Sequence, residues 1–178
     1  MKSKPLLISL LILSFLLPVA ICHAHDVILQ GNGPAQVYFS PDGGCTDGVL
    51  KAIAEAKSEI LIQAYSFRSP VMAQALIDAH KKGIKIELII DKSERQEGLT
   101  PPTMMANAGI PVHLDGKHAV ANNRVFIIDN KTVITGSFNF NSASEEMNAE
   151  NLLILQSKPL ATLYRNNWLT HRKHGERF

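Results

Sequence analysis

A chain of 178 residues can bury one proper core and is short for two. Hydrophobic residues make up 46% and charged residues 19%, a globular balance that excludes a mainly disordered chain. With 18 basic and 16 acidic side chains the net charge is only +2, so no global positive field gathers polyanions and phosphate binding must come from local placement.

Lys2 and Lys4 precede an apolar run from Leu6 to Ile21, and Cys22-His23-Ala24 follows. A positive start, an apolar stretch and small residues near its end predict a signal peptide over 1–24, cleaved after Ala24, and a periplasmic or secreted protein. A membrane anchor fits less well, because the run is 16 residues long with Pro18 inside it, against roughly 20 for a span. Lipid attachment at Cys22 would want a small residue where Ile21 stands. Cleavage leaves 16 basic against 16 acidic side chains and makes Cys45 an odd cysteine. Such a cysteine is a buried small hydrophobe, a free thiol or an intermolecular bridge, with the first expected.

Residues 25–35 read as a short leader and 36–178 as one domain. Gln36 to Ser40 predicts a strand and Pro41-Asp42-Gly43-Gly44 a turn, after which Thr46 can cap a helix carrying Val49, Leu50, Ile53 and Ala54. Glu59 to Phe67 reads as a strand, its consecutive Ile60, Leu61 and Ile62 pointing to burial on both faces. Ser69-Pro70 opens a helix that Gly83 stops, and Ile84 to Asp91 is a further strand. A weaker helix over Thr100 to Ala108 and a short strand over Pro111 to Leu114 follow. Arg124 to Asp129 and Thr132 to Gly136 pair around Asn130-Lys131, then come a strand from Asn151 to Leu155 and a helix from Pro159 to His174. Strands alternating with helices predict an α/β fold: a mixed, mainly parallel sheet with helices on both faces.

The chemistry is concentrated between Asn122 and Asn151. The segments read Asn122-Asn123-Arg124-Val125-Phe126-Ile127-Ile128-Asp129, Gly136-Ser137-Phe138-Asn139 and Asn148-Ala149-Glu150-Asn151. Residues two apart on a strand share a face, which pairs Asn122 with Arg124 and Ser137 with Asn139. All four offer hydrogen bonds suited to a phosphate. Composition alone gives no more than a polar cluster at strand ends.

Order and spacing say more. They resemble the phospholipase D superfamily signature, His-x-Lys-x(4)-Asp followed by Gly-Ser-x-Asn. The resemblance runs from about residue 36 to 170 and is closest to the small one-motif bacterial endonucleases and short bacterial phospholipases D. Gln63 to Phe67, Ile90-Asp91-Lys92-Ser93 and Ala149-Glu150-Asn151 support it.

The resemblance implies phosphodiester hydrolysis without metal or other cofactor, in a homodimer that brings two motifs face to face, on nucleic acid or phospholipid. One His attacks phosphorus, the other protonates the leaving oxygen and later activates water. Carried over, Asn139 and Ser137 take the phosphate-binding positions, Glu150 that of the Glu orienting the His, and Asp129 that of the motif Asp, which is structural. Two positions depart: Arg124 stands at the Lys and Asn122 at the His. Arginine keeps the charge and can grip phosphate in a bidentate way. A carboxamide nitrogen has no free lone pair and cannot carry a phosphoryl group.

Asn122 therefore marks a natural pseudoenzyme, an engineered trap or a variant within an active family, and the paired exchange at Arg124 favours divergence. The remaining histidines offer little rescue. His118 has the same strand parity but lies four residues back, roughly 13 Å along an extended chain. His113 is less suited still, His80 falls on a helix, and His171 and His174 sit near a helix end where the dipole favours them. The expectation is a phosphodiesterase of the endonuclease type with severely impaired turnover. The rivals are a non-catalytic binder of DNA or anionic lipid and an active phospholipase.

Overall fold

The computed structural model describes residues 35–95 and 98–178; the expected signal peptide and nearly all of the leader lie outside them. Eight strands form one sheet: β1 (Ala35–Phe39), β2 (Glu59–Ala64), β3 (Lys85–Asp91), β4 (Val112–Asp115), β5 (Arg124–Ile128), β6 (Thr132–Gly136), β7 (Asn151–Gln156) and β8 (Glu176–Arg177). Their order is β1-β7-β6-β5-β2-β3-β4-β8. The helices are α1 (Cys45–Glu55), α2 (Pro70–Lys81), α3 (Pro101–Asn107), α4 (Ser142–Glu146) and α5 (Lys158–Arg172).

The α/β class and the mixed sheet are as expected, but the balance of directions is not. Of the seven pairings, two are parallel, β2 with β3 and β3 with β4, and five are antiparallel. A parallel pair needs a crossover of a dozen or so residues. Only α2 and α3 provide one between neighbouring strands. β5 turns directly into β6, and its turn sits one residue earlier than expected. Asp129 (φ 53°) and Asn130 (φ 48°) occupy its centre, closed by the Lys131 amide on the Ile128 carbonyl at 3.0 Å.

Burial follows the two faces of the sheet. Ile60, Ile62, Phe126 and Ile134 pack with Val49, Ile53, Met72, Leu76 and Met105 of α1 to α3. Leu61, Ile89, Val125, Ile127 and Val133 face the other way, onto Ala161 and Trp168 of α5. The consecutive apolar residues of β2 are thus divided between two cores. Trp168 also donates from Nε1 to the Ile62 carbonyl at 2.9 Å, fixing α5 to the central strand. Trp168→Phe should cost about 1–2 kcal/mol in urea unfolding, from the lost bond and lost ring volume.

Local signals explain the helix starts. Ser69 caps α2 by accepting from the Met72 amide at 3.3 Å, with Pro70 in the first turn. Thr46 does not cap α1. Gly44, at φ 75°, takes that position, and the Thr46 hydroxyl donates instead to Glu145 at 2.7 Å. Glu145 also accepts from the Gly44 and Thr46 amides, so a carboxylate from α4, about a hundred residues on, satisfies the start of α1. Cys45 is fully buried and free. Burial and the nearby Glu145 charge push its thiol up to about 11, which keeps it unreactive. Two short elements, α4 and β8, were not anticipated. Among the described residues no helix is long and apolar enough to cross a membrane.

Candidate active site

The sheet directions gather most of the signature at one edge, Asp129 excepted. β2, β3 and β4 end there, and β5, antiparallel to β2, begins there with Arg124 opposite Ala64. β6 ends there at Gly136 and β7 begins there at Asn151, with Gly136 opposite Leu152. Gly136 is obligatory at this crossing, since a Cβ would strike the Asn151 carbonyl oxygen.

Arg124 and Asn139 meet directly. Arg124 Nε donates to Asn139 Oδ1 at 2.8 Å, and its Nη1 makes a longer contact of 3.4 Å with the Asn122 carbonyl. Because Nε can only donate, this bond fixes which end of the Asn139 amide faces it and leaves the Nδ2 donor uncommitted to Arg124. The guanidinium lies over the Tyr65 ring, 6.0 Å from its centroid. Ser137 Oγ accepts from the Asn151 backbone amide at 3.1 Å and its side-chain amide at 3.2 Å, tying β6 to β7.

Asn122 stands outside the strand on which a face shared with Arg124 is expected. It lies before β5, in a tight turn where the Asn123 amide reaches the Ala121 carbonyl at 3.0 Å, and it is exposed. Asp91 holds this turn: its carboxylate accepts from the Ala121 amide at 2.7 Å and the Ser93 amide at 2.9 Å. Burial pushes the Asp91 carboxyl up, but the bonds from Ser93 and Ala121 more than offset it and hold it below its usual range. The Ile90-Asp91-Lys92-Ser93 segment alone does not show this role of Asp91, because the bond spans 30 residues and only the fold reveals it.

Glu150 is half-buried at the start of β7 and accepts from Asn148 Nδ2 at 3.2 Å. Among the described residues its carboxylate bonds neither Arg124 nor a backbone amide. Its own amide donates to Ser40 Oγ at 3.1 Å. Asp129 stands at the other end of β5, away from Asn122 and Arg124. Its carboxylate accepts from the Lys57, Ser58 and Glu59 amides and the Ser58 hydroxyl at 2.8–3.0 Å, so it fixes the entry to β2. Burial raises its pKa and these bonds lower it further than that, leaving the carboxyl below its ordinary value.

The histidines need one correction. His171 and His174 are not merely favoured by a helix end; they converge with His118 on the buried Asp115. His171 Nδ1 lies 2.7 Å from Asp115 Oδ2, and His118 Nδ1 lies 3.1 Å from Oδ1. Burial pushes the Asp115 carboxyl up and the bonds from His171 and His118 outweigh that, keeping it ionised. His118 is thereby engaged three strands from the motif. Across the register Arg124–Ala64–Ile90–Leu114, three spacings come to about 14 Å. His80 bonds the Ile84 carbonyl at the far end of α2, and His113 is buried 2.9 Å from Glu87.

Comparison with known proteins agrees with this fold. Residues 49–171 match the family described as cardiolipin synthase, PLD-like domain. The chain is 37% identical over 134 residues to phospholipase D of Rickettsia conorii, covering 75% of this chain and 67% of that protein. It superposes on the crystal structure of Nuc, a phospholipase D family member from Salmonella typhimurium, with TM-score 0.75 and 36% identity, over 82% of this chain and 97% of Nuc. NucT from Helicobacter pylori shares the fold at TM-score 0.75 and 21% identity, over 82% of this chain and 99% of NucT. A mixed sheet carrying most of this signature at one edge is the scaffold of a phosphodiesterase.

The chain belongs to the phospholipase D superfamily.

Proposed function

We propose that this protein is an exported, homodimeric phosphodiester binder of endonuclease descent, with turnover severely impaired. The observation that carries the reading is Asn122 at the position where the family chemistry needs imidazole. A neighbouring Arg124–Asn139 pair meanwhile keeps donors suited to a phosphate. Nucleic acid is the preferred class because the fold is minimal and similar to Nuc.

The surroundings support pairing across a two-fold axis. Phe39, Val71, Leu99, Val120 and Met147 are exposed large apolar side chains, and all lie on segments at the same sheet edge as the motif. An apolar rim around polar groups suits a second copy of the same face. It also favours a second reading, in which the rim meets a membrane and the bound phosphodiester is an anionic lipid headgroup.

Fluorescence titration with single-stranded DNA and with anionic vesicles separates the two. Binding to DNA with weak affinity for vesicles is expected. Arg124→Ala should weaken DNA binding about 10–100-fold, as loss of a charge-assisted bond would. Sedimentation should show a dimer. A monomer, or unchanged DNA affinity in Arg124→Ala, would remove the basis for the proposal.

A further inference from the structure

The most unusual cluster outside the motif is the Asp115 group. Asp115 ends β4 and is fully buried, while His118 lies on the loop toward β5 and His171 and His174 at the end of α5. One potential ligand atom from each of the four lies within 4.8 Å of every other. The three imidazole rings are mutual neighbours, with centroids 4.8, 5.3 and 5.4 Å apart.

The spacing is compatible with a shared metal ion as well as with hydrogen bonds. Nitrogens of His171, His118 and His174 stand 2.7, 3.1 and 3.2 Å from Asp115 oxygens. A tetrahedral site with bonds of about 2.0–2.1 Å has ligand atoms about 3.3 Å apart. Hydrogen bonding alone leaves the group incomplete. His174 Nε2 is buried and lies 3.2 Å from Asp115 Oδ1, but poorly aligned for a hydrogen bond, and it has no other partner among the described residues. A divalent cation gives that nitrogen a bond and balances the buried carboxylate.

We propose that Asp115, His118, His171 and His174 form a four-ligand site for Zn²⁺ or a similar transition ion, serving the scaffold rather than the reaction. Three imidazoles and one carboxylate are borderline ligands that suit zinc over magnesium or calcium. Four protein ligands close the coordination shell, as structural sites do. The ion would fasten α5 to the end of β4 and hold the loop that leads through Ala121 to Asn122. It lies about 14 Å from Arg124 by the strand register, so phosphodiester chemistry without a catalytic metal is compatible with it.

The full chain, stripped with EDTA and dialysed, is to be titrated with Zn²⁺ alone, and separately with Co²⁺. One equivalent of Zn²⁺ should bind with a Kd of about micromolar or tighter, and saturation should raise Tm by at least about 5 °C. Co²⁺ should give the intense visible absorption of a four-coordinate site. His118→Ala, on an exposed loop, should weaken Zn²⁺ binding at least about 100-fold with little change in metal-free Tm, and His80→Ala should bind like the parent. If His174→Ala fails to fold, His118→Ala still decides. Sub-stoichiometric binding, the pale spectrum of six-coordinate Co²⁺, or parental affinity in His118→Ala would overturn the site.

Discussion

Asn122→His combined with Arg124→Lys is expected to raise plasmid nicking in EDTA by roughly 10²–10⁴-fold or more over the parent. The gain has two sources. In a two-fold pair, one restored imidazole becomes the nucleophile and its mate the general acid, so a single substitution supplies both groups. The ammonium then replaces a guanidinium whose Nε is committed to Asn139 Oδ1. Asn122→His alone should recover most of the activity, and Arg124→Lys alone none. Acid quenching during turnover should trap a phosphorylated protein in the restored variant and not in the parent. Parent nicking equal to that of the double variant, or a phosphorylated residue in the parent at this edge, would contradict the chemical argument.

Asp129→Ala is expected to destabilise the fold by about 3–4 kcal/mol, or roughly 10 °C in Tm. Its carboxylate accepts four hydrogen bonds from Lys57, Ser58 and Glu59. Its φ of 53° adds a left-handed position that alanine dislikes. Asp129→Asn tolerates that conformation and keeps one acceptor oxygen, so about half the loss should return. The carboxyl titrates below its unfolded value of about 3.9. Its contribution is therefore complete above the unfolded pKa and disappears as pH falls through the folded one. The stability gap between parent and Asp129→Ala, measured by urea unfolding, should be constant near neutrality and shrink below about pH 4. A gap that persists at low pH would assign the loss to backbone strain alone.

The sequence was legible where local chemistry decides structure. The Ser69-Pro70 start, the buried Ile60-Leu61-Ile62 run and the signature order all announced themselves within a few residues. What escaped was set by distance along the chain. Strand direction depends on which strands become neighbours, and β5 joins β2 across more than fifty residues. Glu145 satisfies α1, and Asp91 holds the turn at Asn122, through bonds no periodicity foretells. His118, His171 and His174 look unrelated until the C-terminal helix returns to the end of β4. Elements of five and two residues, α4 and β8, lack the length for a repeating pattern. Asn122 falls in a turn just before β5, where strand periodicity does not extend.

The double duty of Asp129, Gly136 and Ser137 has a bearing on how such signatures persist. A carboxylate that anchors β2, a glycine pressed against the neighbouring strand and a hydroxyl that clasps β7 all help to hold the sheet together. Positions 122 and 124 carry no comparable mechanical load. A lineage that gave up turnover would therefore erode first at the nucleophile and its cation, while half of the recognisable pattern endured as architecture.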